Sequence, residues 1–269
     1  MSEYEFVKVE QDGRITLITI NRPHVYNALH SPAHIEFDQV FDEFASDPKQ
    51  WVAIITGAGD KAFSAGNDLK YQAAGGRRDR PANGFAGLTE RFNLNKPVIA
   101  AVNGFAMGGG FEIALACDLI VASDNAIFAL PEPRVGLAAL AGGLHRLPRI
   151  IPQKQALGMI LTGRRVTAAE GQKLGFVNEV TKPERLLDAA RTWANLILEC
   201  SPMSIRASKQ SVYEGLRQPD LKNAMEEVYP AVQALYDSSD FVEGPKAFSE
   251  KRPPKWKAEE GRVIYRESR

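Results

Sequence analysis

The 269-residue chain lacks a surplus of either charge: Lys plus Arg and Asp plus Glu number 33 each. A nucleic-acid binder concentrates basic residues on one face or stripe, and no segment here is strongly basic, so no nucleic-acid partner is expected. Cysteine is scarce. Cys117 lies in an apolar run far from Cys200, without metal-ligand spacing, and both read as free, reduced thiols of a cytoplasmic protein. The four histidines form no HExxH pattern, although His30 and His34 stand four apart, and no metal site is expected. No apolar stretch reaches bilayer length, and Met1 to Phe6 carry neither a basic n-region nor an apolar h-region, so no membrane association is expected. Also missing are the GxxxxGK(S/T) phosphate loop, the GxGxxG dinucleotide fingerprint and the GxSxG nucleophile elbow. Nucleophilic serine or cysteine chemistry therefore has no support.

What the chain does have is an alternation of β-branched runs with glycine-bearing turns and helical periods. Residues 14–20, 51–56, 97–102, 118–122 and 176–180 read as strands, and 126–130 leads into Pro131-Glu132-Pro133. Ser31-Pro32 reads as an N-cap followed by proline, and Phe37, Val40, Phe41 and Phe44 then recur at helical spacing up to Asp47-Pro48. Gln153 to Leu161 predicts a helix closed by Gly163, and Thr167-Ala-Ala-Glu170 a capping box for a short helix ended by Gly175. The pattern predicts α/β layering with strands buried on both faces. Residues 71–88 have no sustained period and read either as a mobile loop over a site or as surface linker. From Pro183 the chain turns all-helical, with helices over 202–217 and 219–237, so residues 1–200 are expected as an α/β core and 201–269 as a C-terminal helical region.

The chain is organised around Lys96 to Glu112, where a strand ends at Asn103-Gly104 and Gly108-Gly109-Gly110 open a new apolar segment. Three consecutive glycines cost conformational entropy, and close approach of backbone to a ligand is a use that offsets it. A helix starting there presents N–H groups without intrahelical partners, a site for an anion or for an oxygen that becomes one during reaction. Glu112 falls in the first turn among apolar neighbours, although a first-turn glutamate also serves simply to complement the helix dipole. Glu132 lies between Pro131 and Pro133, where neither helix propensity nor a solvated face accounts for it; a turn carboxylate remains the plain alternative. A second glycine-bearing turn is Ala65-Gly66-Asn67-Asp68.

Together these features resemble the enoyl-CoA hydratase/isomerase, or crotonase, family. The motifs are Asn21-Arg-Pro with Asn27-Ala-Leu, Ala62 to Leu69, Lys96 to Gly104, Gly108 to Glu112, Cys117-Asp118, Pro131-Glu132, Gly142-Gly143, Leu161-Thr-Gly163 and Phe248 to Arg252. The resemblance implies a spiral of ββα repeats with a C-terminal helical region that makes trimers, commonly paired into hexamers. It implies reversible hydration of a 2-enoyl-CoA thioester, with coenzyme A as part of the substrate and no separate cofactor. The backbone N–H groups of Asn67 and Gly109 then form the oxyanion hole, and Glu112 and Glu132 hold the water and exchange protons. Ala65, Asn67, Asp68, Leu69, Lys70, Gly108 and Gly109 fall at substrate and coenzyme A positions, joined by Phe248 and Lys251 from a neighbouring subunit. Residues 84–97 look like the carnitinyl-CoA dehydratase branch. Against that, Ala139-Leu140 stands where the branch carries an acid at 140, which makes the pocket more apolar and weakens the case for a cationic acyl group. An isomerase of the same fold, and a binding protein on this scaffold, RNA-binding members included, are the alternatives.

Overall fold

The computed structural model describes residues 4–76 and 79–258, which fall into two compact units, 4–93 with 98–194 and 94–97 with 195–258. In the first unit β1 (Val7–Asp12) and β2 (Ile15–Ile20) form an antiparallel pair, and α1 (Ser31–Ser46) follows. Three strand pairs come next: β3 (Val52–Gly57) with β4 (Ala62–Ser64), β5 (Val98–Val102) with β6 (Phe105–Met107), and β7 (Leu119–Ser123) with β8 (Ile127–Ala129). The first strand of each pair joins a six-stranded sheet ordered β1-β2-β3-β5-β7-β10, and the second joins a four-stranded sheet ordered β4-β6-β8-β9. β9 is Val166–Thr167 and β10 is Glu179–Thr181. Apart from β1 with β2 and β8 with β9, neighbouring strands run parallel. The helices are α2 (Leu69–Ala73), α3 (Gly109–Ala116), α4 (Gly143–Ile150), α5 (Gln153–Thr162) and α6 (Ala168–Leu174), while α7 (Leu186–Leu198) carries the chain into the second unit. This is the expected ββα spiral.

Passing from one sheet to the other needs a sharp corner with its backbone groups satisfied. Gly57 has no room for a side chain, since an added Cβ would lie 2.3 Å from the Ala62 carbonyl oxygen. Its peptide is held from both sides by Asn103, whose Oδ1 accepts from the Gly57 N–H at 3.1 Å and whose Nδ2 donates to the Gly57 oxygen at 2.9 Å. Asn27, fully buried and left-handed at φ 56°, accepts from the Arg22 N–H and donates to Ala58 and Ala62 oxygens. The paired asparagines of the sequence motifs are therefore corner locks. Behind the second sheet Phe111, Phe128 and Phe176 pack with ring centroids 5.1 to 5.2 Å apart and fasten α3 to β8.

Three local readings change, and short strands such as β6 went unread. Ser31 is the first residue of α1, with His30 at the cap position. Phe176 and Val177 are not strand residues: their N–H groups go to the Gly171 oxygen, and the Phe176 ring turns into the core beyond the left-handed Gly175. Strand β6 is only three residues long, too short to show alternation. Residues 71–88 split into the end of α2 and a 3-10 turn at Phe85–Gly87 whose residues are buried, so this end of the segment is core rather than linker. Left-handed Gly84, Ala86 and Gly87 explain why it has no period.

The second unit contains α8 (Pro202–Gly215), α9 (Leu221–Glu226), α10 (Pro230–Tyr236) and α11 (Asp240–Ser249). The helix read over 219–237 is two helices, because Pro230 holds Tyr229 extended. Ser201 caps α8 and donates to Asp240 Oδ2 at 2.8 Å, tying the start of α8 to the start of α11.

Candidate active site

The two glycine-bearing turns come together. Gly66 is left-handed, and a Cβ added there would lie 2.6 Å from the Met107 oxygen and 2.8 Å from the Gly109 nitrogen. One added at Gly110 would lie 2.1 Å from the Ser64 oxygen, so only glycine allows this approach. Leu29 makes a parallel bridge to Asn67 through the flanking peptides, accepting from the Asp68 N–H and donating to the Gly66 oxygen. The Asn67 N–H therefore points away from the bridge. Gly109 opens α3, where an N–H has no intrahelical acceptor. Among the described residues, neither the Asn67 nor the Gly109 N–H has a hydrogen-bond partner. The Asn67 side chain is turned aside, donating to Gln72 Oε1 at 2.7 Å.

Glu112, in the first turn of α3, is 3 % exposed. Its Oε1 accepts from the Gly143 N–H at 2.8 Å, at the opening of α4. Burial pushes its carboxyl up to about 7; the nearby Glu132 adds to that, while the Gly143 and Ala141 N–H groups and Arg80 oppose it. Glu132 heads the 3-10 turn Glu132–Val135, and burial raises its carboxyl too. Its Oε1 rests over Gly108, where an added Cβ would lie 2.6 Å away. Its Oε2 is buried and, among the described residues, has no hydrogen-bond partner. Two carboxyls that hold protons unusually well thus flank one glycine turn, with the Gly109 N–H at the next residue. Such a set can take a proton from water, return one to carbon and stabilise charge on an oxygen.

Asp68 caps α2, accepting from the Tyr71 N–H at 3.1 Å, and pairs with Arg22 at 3.0 Å. Hydrogen bonds from Tyr71 and Arg22 hold its carboxyl low despite burial, which marks the side chain as a brace for the turn. Ala65, Leu69 and Lys70 are exposed. Ala65 lines a depression with Tyr26, Phe105, Met107 and Arg165. Phe248, 87 % exposed, and Lys251 belong to the second unit, the others to the first. Sequence reasoning missed Ala141 and Gly143 as donors to Glu112, and it missed Phe85, whose ring covers Gly109, with Arg80 lying 5.5 Å from that ring's centroid. Buried residues at an aperiodic loop end leave no periodic trace; the Gly142-Gly143 pair was the one available signal.

Residues 10–259 match the family model for enoyl-CoA hydratase/isomerase. A carnitinyl-CoA dehydratase of Salmonella arizonae is 46% identical, over 94% of this chain and 98% of its own. The crystal structure of an enoyl-CoA hydratase from Mycobacterium tuberculosis H37Rv superposes with a TM-score of 0.89 at 39% identity, covering 94% of this chain and 99% of that one. A carnitinyl-CoA dehydratase structure from Mycobacterium avium 104 gives 0.76 at 39% identity, over 95% and 100%. With its paired sheets, its abutting glycine turns and these matches, the chain belongs to the enoyl-CoA hydratase/isomerase family, as an enoyl-CoA hydratase, a hydro-lyase acting on coenzyme A thioesters.

Proposed function

We propose that the Asn67 and Gly109 N–H groups hold the thioester oxygen of a 2-enoyl-CoA while Glu112 and Glu132 add water across its double bond in a syn sense. The water oxygen attacks the β-carbon and its proton passes to one carboxylate. Electrons move onto the thioester oxygen, where the two N–H groups stabilise the enolate, each worth roughly 3–4 kcal/mol. The α-carbon then takes a proton from the other, protonated, glutamate. One proton enters the pair and one leaves it, so the cycle requires two carboxyls sharing a single proton. The observation that carries this reading is that burial raises both carboxyls and that Glu132, seated over Gly108 beside the Gly109 N–H, adds to the rise at Glu112. A double-bond isomerase needs one shuttle only. The step uses no group besides enzyme, water and substrate.

We further propose that Ala65, Leu69, Lys70 and the depression beside Tyr26 take the coenzyme A portion, and that residues 201–269 make a trimer or hexamer in which Phe248 and Lys251 reach a neighbouring copy. Light scattering that gives a monomer mass removes the shared site. The relatives favour a second reading, crotonobetainyl-CoA as substrate. Leu140, apolar and 73 % exposed, and the cationic Arg80 beside Phe85 count against a cationic acyl group. Loss of enoyl absorbance is measured with crotonyl-CoA, longer enoyl-CoAs and crotonobetainyl-CoA. Hydration of the neutral substrates with at least tenfold higher kcat/KM is expected. A preference for crotonobetainyl-CoA installs the second reading, and no hydration of any of them removes the mechanism.

A further inference from the structure

His34 is a buried titratable group that this reaction does not use. It lies on α1, where its Nδ1 accepts from the Ala86 N–H at 3.1 Å and its ring packs at 4.3 Å on Phe85. Ala86 is left-handed at φ 53°, a conformation that a side chain disfavours and that its surroundings must hold. Phe85, the residue before it, lays its ring on Gly109: a Cβ added at Gly109 would lie 2.5 to 3.0 Å from three of the ring carbons. One imidazole thus fixes the peptide that aims this ring. Because Nδ1 accepts, the ring proton sits on Nε2 and the group is neutral; burial, with help from Arg80, holds it down to about 3. Other contacts hold the same segment on its bed. Phe85 N–H donates to Thr89 Oγ1, and Arg91 donates to the Gly87 oxygen and to Asp38 and Asp42. Among the described residues, His34 alone receives the Ala86 N–H.

We propose that His34 is a positioning residue for hydration: by holding Ala86 it keeps the Phe85 ring against Gly109, so that the Gly109 N–H stays fixed and shielded from water. A donor preset in a dry setting stabilises developing charge better than one that must reorganise. The inference rests on Gly109 as an oxyanion donor. Both are read with dimethylaminocinnamoyl-CoA, an enoyl thioester whose absorption band moves to the red as its carbonyl is polarised.

His34→Leu deletes the acceptor, whereas His34→Asn places Oδ1 near the position of Nδ1. The wild-type protein and His34→Asn are expected to shift the band fully. His34→Leu is expected to bind the probe with a reduced shift, and to lose about 10- to 100-fold in kcat on crotonyl-CoA with KM within about threefold. Phe85→Leu should behave the same way, and the double variant should be no worse than the poorer single. A full shift and wild-type kcat in His34→Leu, or an Asn variant as impaired as the Leu variant, overturns the inference while leaving the oxyanion hole intact. Absence of any shift with the wild-type protein removes the oxyanion reading and the inference with it. Should His34→Leu fail to fold, Phe85→Leu carries the test, and a full shift there is equally fatal.

Discussion

One methyl group at Gly108 should separate folding from turnover. The backbone there has φ 52° and ψ −122°, where L-residues are strained by about 1–3 kcal/mol. In a chain of this size that lowers the melting temperature by roughly 2–10 °C. The added Cβ of Gly108→Ala would also lie 2.6 Å from Glu132 Oε1, closer than such atoms ever approach. The carboxylate is the far end of a flexible side chain, so it can withdraw by several tenths of an ångström at little cost in stability. Catalysis is less forgiving, because a displacement approaching 1 Å costs about 10²-fold. The assay is steady-state hydration of crotonyl-CoA beside a thermal melt. Gly158→Ala is the control: nothing lies within 4 Å of the added methyl in α5, so it should add about 0.5–1 kcal/mol of stability and leave turnover unchanged. If Gly108→Ala turns over within threefold of wild type, the placement of Glu132 over Gly108 does not matter to the reaction and the reasoning fails.

Glu112→Gln should lose about 10²–10⁴ in kcat while changing how stability depends on pH. The carboxyl is raised from 4.5 to about 7, so its stabilising effect is complete below pH 4.5 and lost as pH rises through 7. The variant lacks that loss and should gain on wild type by on the order of 3 kcal/mol between pH 4.5 and pH 8, read from urea melts; a difference independent of pH contradicts the burial account. Glu132→Gln should lose turnover on the same scale, and the double variant should fall far short of the product of the two losses; near-normal hydration by Glu132→Gln would make a single-base isomerase the better reading. Asn27→Ala breaks three backbone contacts, two of them buried, and should cost about 2–4 kcal/mol; a loss under about 1 kcal/mol would show that Asn27 does not lock its corner.

In the larger sheet β2, β3, β5 and β7 were legible as apolar, largely β-branched runs ending at turn residues, whereas β1, with Lys8, Glu10, Gln11 and Asp12, carries no such run and went unread; the capping pattern of α6 and the glycine stops of α5 and α6 are local chemistry. Gly108 to Glu112 was legible because three glycines in a row need a reason. What was hidden depends on distant parts of the chain. Nothing near residue 86 says that an imidazole 52 positions earlier will receive its N–H. Nothing near Glu112 says that a helix starting at Gly143 will meet its carboxylate. Phe176 read as strand because a core aromatic after a helix stop and one in a sheet have the same neighbours in sequence.

The loop from 133 to 142 starts at Glu132 and ends at the Ala141 and Gly143 N–H groups that meet Glu112. Residues 133–138 and Leu140 are exposed, with Val135, Leu137 and Leu140 among the large apolar ones. One strip of surface therefore joins Glu132 to the N–H groups that meet Glu112, so a substitution that shifts it is expected to disturb the surroundings of both carboxyls together.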